Sequence, residues 1–123
     1  MSHIEEQPIL DENIINNIKK LQRPGMPNLI HRIIDIFVSE SVDKNNAIDQ
    51  AFQAGSGEEL AFITHALKSS SGNLGALRLS QLCSELEQAG KAGDISQLGS
   101  RIQLFKEEYQ NAQDALLKIR ENS

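Results

Sequence analysis

At 123 residues, 39% of them apolar, the chain has the size of one domain and buries about two thirds of its unfolded surface without disulfide or metal staples. Its net charge of −5 lies in the first half: residues 1–61 carry five Lys/Arg against ten Asp/Glu, and residues 62–123 carry seven of each. The lack of a basic stripe and of Trp argues against nucleic-acid binding, and no apolar run approaches the ~18 residues of a membrane span.

Residues 1–10 read as a flexible lead-in, and the domain is expected over 11–121. Met1 to Pro8 is polar and lacks a secretory signal pattern, and the single Cys83 cannot form an internal disulfide. Both point to the cytoplasm. Asp11 is a candidate N-cap for a short first helix carrying Ile14, Ile15, Ile18 and Leu21, which Arg23-Pro24-Gly25 ends. Pro27 occupies a favourable helix-start position. A long second helix runs from Asn28 to about Ala54, on Ile30, Ile33, Ile34, Phe37, Val38, Ile48 and Phe52, with a bend near Asp43–Asn46. Gly55-Ser56-Gly57 closes it, and Ser56 or Gly57 opens a third helix with Glu58 and Glu59 in its first turn.

The third helix has an apolar stripe of Leu60, Ile63, Leu67, Ser70/Ser71 and Leu74, with Gly75 as its terminal glycine. A fourth helix spans about Ala76 to Ala89, with Leu79, Leu82, Cys83 and Leu86 inward, and Gly90-Lys91-Ala92-Gly93 makes the next turn. Asp94 then caps a last helix on which Ile95, Leu98, Ile102, Phe105, Tyr109, Ala112, Leu116 and Ile119 recur by three and four, with Gly99 in its interior. No strand pattern or internal repeat is present. The fold class is all-α: an antiparallel up-down four-helix bundle with an additional short N-terminal helix.

At ~100° per residue, His65 falls opposite the apolar stripe of the third helix and faces solvent. Around it stand Ala61 and Ser69 at i±4, Phe62 and Lys68 at i±3, and Gly72 at i+7. An ordinary exposed face would carry Glu, Lys and Gln. Small residues let another backbone approach, which makes Ala61, Phe62, Ser69 and Gly72 candidate partner-facing positions. An exposed imidazole is a competent nucleophile near neutral pH. Once phosphorylated it would gain negative charge, and Lys68 one turn away would complement it. No Gly-rich phosphate loop or carboxylate cluster for Mg²⁺ accompanies it, so the electrophile and any metal must come from a partner. His31 and Asp35 pair at i, i+4, but no further ligands complete a metal set, and His3 carries no assignment. Cys83 belongs to the inward stripe of its helix.

The run His-x-Leu-Lys-x-Ser-Ser-x-x-Leu-Gly-Ala at 65–76 resembles the signature of histidine-containing phosphotransfer (HPt) domains of multistep two-component phosphorelays. Glu59-Leu60 before it and Leu79, Cys83, Leu86, Glu87 and Gly90 after it fit the same pattern, so the resemblance covers about residues 11–120. It implies a four-helix bundle in which His65 accepts a phosphoryl group from the aspartyl phosphate of one receiver domain and passes it to another. It also implies that Lys68 is the basic residue beside the phosphoryl group and Gly75 the turn glycine. No autonomous ATP-dependent kinase activity is implied, no cofactor is bound by this chain, Mg²⁺ resides on the partner receiver, and the chain acts as a monomer. The polar ends favour a free-standing carrier over one end of a hybrid kinase. One departure is Ser69, where the family usually has Gly; its hydroxyl can bond back to the His65 carbonyl and narrow the choice of receiver. The alternative is a helical binding module that docks and regulates a receiver or histidine kinase without transfer. A metal-binding bundle enzyme is a third reading, without a ligand set to support it.

Overall fold

The computed structural model describes residues 7–123. The notional lead-in is only partly covered: residues 1–6, His3 among them, lie outside the described residues. Of the rest, the Gln7 carbonyl accepts a 2.6 Å bond from Arg78 Nε and Leu10 packs on the core.

Five helices follow: α1 (Glu12–Lys20), α2 (Leu29–Gln53), α3 (Gly57–Asn73), α4 (Leu77–Ala92) and α5 (Gly99–Glu121). Among the described residues there is no strand. Three starts are set by side-chain caps that satisfy otherwise orphaned backbone N–H groups. Asp11 accepts from the Asn13 amide at 2.9 Å, Asn28 from His31 at 3.2 Å and Ser56 from Glu59 at 3.1 Å. Pro27 therefore precedes the cap of α2 and does not open the helix. Helical bonding in α2 runs uninterrupted through Asp43–Asn46, where Asn45 Nδ2 donates to the Ser41 carbonyl at 2.9 Å.

Two boundaries depart from the periodic reading. The fourth helix does not stop at Ala89 but continues to Ala92, carrying Gly90 inside it. The reason is tertiary: Gly90 packs backbone to backbone against Gly57 at the start of α3, and a Cβ on Gly90 would lie 2.5 Å from the Gly57 carbonyl oxygen. The last helix begins at Gly99, capped by Leu98, not at Asp94. Asp94 instead closes a turn, its Oδ1 accepting from the Ser96 amide at 3.0 Å and hydroxyl at 2.8 Å, while Ile95 is buried from that turn.

Helices α2 to α5 close a ring in which α2 packs on α3 and α5, and α4 packs on α3 and α5. The core is aliphatic, with Ile34, Ile48, Leu60, Leu79, Leu82, Leu86 and Leu116 fully buried. Its aromatic part joins α2 to α5: Phe37 stacks on Tyr109 at 5.0 Å and Phe105 meets Tyr109 edge-on at 5.7 Å. The buried face of α3 is turned towards α4 relative to the expected stripe. Thr64 is fully buried, its hydroxyl donating to the Leu60 carbonyl at 2.7 Å, and Ile63 is half-buried.

Helix α1 sits over α2 and is fixed to the end of α3. The Asp11 amide donates to the Gly75 carbonyl at 2.8 Å. Gly75 has φ +78° and follows the Leu74 cap, and a Cβ there would meet the Asp11 carbonyl at 2.9 Å, so both its conformation and its space call for glycine. Among the described residues no helix is long and apolar enough to cross a membrane.

Candidate functional site

His65 stands on the outer face of α3 with its side chain 65% exposed. It does not stand alone. Its Nδ1 lies 2.8 Å from Glu87 Oε2 on α4, and Lys68 Nζ donates to Glu87 Oε1 at 2.7 Å. Lys91, one turn beyond Glu87, brings its Nζ to 3.3 Å from Oε2. One carboxylate thus gathers the histidine and two lysines from two helices.

The seam between the helices makes this reach possible. Glu87 follows Cys83 by four and precedes Gly90 by three, which puts it on the α4 face turned to α3. With glycine at both Gly57 and Gly90, the backbones approach closely enough for the Glu87 side chain to lie across the seam with only 6% exposure. A buried carboxylate survives only if paired. The hydrogen bond from Lys68 holds its acidity well below the usual range, at about 2, assisted by His65 and Lys91 against the opposing effect of burial. Glu87 is therefore ionised and acts only as an acceptor. Facing an ionised acceptor at 2.8 Å, Nδ1 of His65 is the donor of that bond, and Nε2 is the ring nitrogen not engaged by Glu87.

An open groove of about 600 Å³ runs beside the imidazole, lined by Glu58, Ala61, Phe62, Glu87, Gly90 and Lys91 among others. Phe62, 79% exposed, is the largest apolar side chain left open there. Ser69 is exposed too, but its hydroxyl does not bond the His65 carbonyl and makes no hydrogen bond among the described residues; Ser70 Oγ is the one that donates backwards, to Leu67 at 3.2 Å. Ala61, expected on the open face, is 7% exposed and packs against Gly90, so only its edge reaches the groove. Gly72 is half-buried, and a Cβ there would lie 3.4 Å from Ser80 Oγ on α4. Gly75 ends the helix well away from the imidazole. Lys68 is beside His65 as expected, yet it is already engaged with Glu87.

Glu87 and Lys91 are the site residues that periodicity did not single out. The available signal was a glutamate at the inward spacing of α4, four residues after Cys83 and next to Leu86, where an apolar residue is the rule. His31 and Asp35 take no part: Asp35 forms a two-pronged pair with Arg120 of α5, at 2.6 and 3.0 Å. Among the described residues no group of three or more His, Cys, Asp or Glu is placed to hold a metal ion. Cys83 is buried, which pushes its thiol up to about 12 and leaves it inert.

Comparison with known proteins bears on the family and the fold. Histidine-containing phosphotransfer protein 4 of Arabidopsis thaliana is 28% identical over 105 residues, which cover 84% of this chain and 82% of that protein. The crystal structure of histidine-containing phosphotransfer protein B (HptB) from Pseudomonas aeruginosa PAO1 has the same fold, with a TM-score of 0.85 over 94% of this chain and 97% of that one at 24% identity. The Hpt domain family model matches residues 32–115, a span that holds His65, Lys68, Glu87 and Lys91. The chain belongs to the Hpt domain family.

Proposed function

We propose that the chain is a phosphoryl carrier of a phosphorelay, with Nε2 of His65 as the acceptor atom. The observation that carries this reading is the engagement of Nδ1 by an ionised Glu87 at 2.8 Å while the rest of the ring stands open to a groove. The Nε2 lone pair attacks the phosphorus of an aspartyl phosphate on a receiver domain; the N–P bond forms and the O–P bond breaks, returning the aspartate as carboxylate. The reverse step on a second receiver discharges the carrier. Lys68, one turn along α3 from His65, and Lys91, across the seam on α4, are both gathered by Glu87 and supply positive charge for the incoming phosphoryl oxygens. Phe62 and Ser69 form the exposed ground on which the receiver docks, with Gly72 and the edge of Ala61 permitting close approach. Mg²⁺ resides on the receiver, the carrier works as a cytoplasmic monomer, and it has no ATP-dependent kinase activity of its own.

The test is incubation with a phosphorylated receiver domain and Mg²⁺. Acid-labile, base-stable label should appear on the chain and be absent from His65→Gln. Label that persists in His65→Gln overturns the assignment, and full signalling output from that variant would mark a docking module instead.

A further inference from the structure

A buried carboxylate is an awkward neighbour for a group about to receive a phosphoryl of charge about −1.5 to −2. A neutral amide would orient the imidazole equally well through its carbonyl oxygen, without the repulsion. Glu87 therefore does something that requires its charge. It touches Nδ1 directly, at 2.8 Å, whereas the two lysines reach this side of the ring through Glu87 itself.

We propose that Glu87 is a positioning residue that keeps the phosphorylated ring of His65 protonated at Nδ1, so that phosphoryl transfer moves no proton and the phosphorylated state is labile. The inference rests on Nε2 of His65 as the acceptor. Attack by Nε2 turns the ring into a phospho-imidazolium that still carries its Nδ1 proton, and Glu87 supplies the counter-charge. When a receiver carboxylate attacks phosphorus, the P–O bond forms and the P–N bond breaks. The electron pair returns to Nε2, and the leaving group is neutral imidazole in its starting tautomer. Without the Nδ1 proton the leaving group would be an imidazolide anion, a far poorer one.

The charged groups that face the ring are Glu58 and Lys68 of α3 and Glu87 and Lys91 of α4. The incoming phosphoryl offers Lys68 and Lys91 a second anion, while the bond from Nδ1 to Glu87 stays available throughout. An opposite charge at this distance changes a neighbour's proton affinity by about tenfold or more.

The experiment uses the full chain phosphorylated chemically with phosphoramidate, so that no receiver is required. Loss of the phosphoryl group is followed by ³¹P NMR from pH 6 to 9 for the parent and for Glu87→Gln, which keeps size and an acceptor oxygen. The parent should lose phosphate at a rate that holds level to a pH at least one unit higher than in the variant. At pH 8 the variant should be about tenfold longer-lived. ¹⁵N NMR of the parent supplies a readout that needs no variant: the Nδ1 proton should survive phosphorylation at pH 8. Superimposable pH profiles, or a phosphorylated parent ring already stripped of its Nδ1 proton at pH 8, overturn the inference. Those results leave His65 as acceptor; phosphorylation of His65→Gln to the same extent would instead remove the reading on which the inference rests.

Discussion

Replacing Gly90 by Ala should destabilise the bundle even though it improves the helix. In an isolated helix the change is worth about 1 kcal/mol in favour of Ala. In the folded chain the new Cβ would sit 2.5 Å from the Gly57 carbonyl oxygen, 3.0 Å from the Ala61 amide nitrogen and 3.2 Å from the Ala61 Cβ, where ordinary contact begins at 3.4 Å. Two of these atoms are backbone, so no side-chain rotation relieves the overlap, and α3 and α4 must part by close to an ångström. Overpacking of this kind costs about 1–3 kcal/mol, and a rigid backbone neighbour places it at or beyond the upper end. The net loss is ~2 kcal/mol, which for a chain of this length lowers Tm by ~8 °C. Thermal unfolding followed by circular dichroism measures it. Gly99→Ala is the paired control: its Cβ would meet only Phe52 Cζ, at 3.7 Å, so Tm should hold or rise. A Gly90→Ala variant as stable as the parent would refute the argument that backbone contact at Gly57 closes the seam.

Phe62→Ala removes a side chain that is 79% exposed, so its Tm should stay within about 1–2 °C of the parent, the scale of a neutral surface change. Affinity for the cognate receiver, measured by titration calorimetry, should nonetheless fall about tenfold, as for an aromatic anchor at an interface. The Glu87 carboxyl, held down to about 2 from its ordinary 4.5, stabilises the folded chain above the unfolded value and loses that contribution as pH falls through the folded one. The Tm difference between the parent and Glu87→Gln should therefore be constant above about pH 5 and shrink between pH 4.5 and 2. A difference that is independent of pH would contradict the ionised assignment.

What could be read from the chain was what is decided locally. The caps at Asp11 and Ser56 and the terminal glycine at Gly75 depend on residues within a few positions, and the structure has them where spacing put them. The outward direction of His65 follows from one helix and its period. Gly90 and Asp94 misled for the opposite reason. Glycine is a breaker in a local reading, but at Gly90 it answers to Gly57, 33 residues earlier. Asp94 has the pattern of a helix cap, and Ser96 takes its carboxylate for a turn. The role of Glu87 was legible least of all, because it arises from three partners spread over two helices. No spacing within α3 reveals that Lys68 is already occupied.

The bond between the Asp11 amide and the Gly75 carbonyl gives α1 a second significance. A helix of nine residues does not hold itself together in water, so α1 persists only while it is anchored. Its anchor is the turn that terminates the His65 helix. The Asp11 amide can exchange with solvent only when that anchor lets go, and such local openings occur at lower free energy than global unfolding. Hydrogen exchange at this one amide is thus a gauge of how firmly the end of α3 is held. Any partner that tightens or loosens the far end of that helix will register there, outside the groove and on a segment it need not touch.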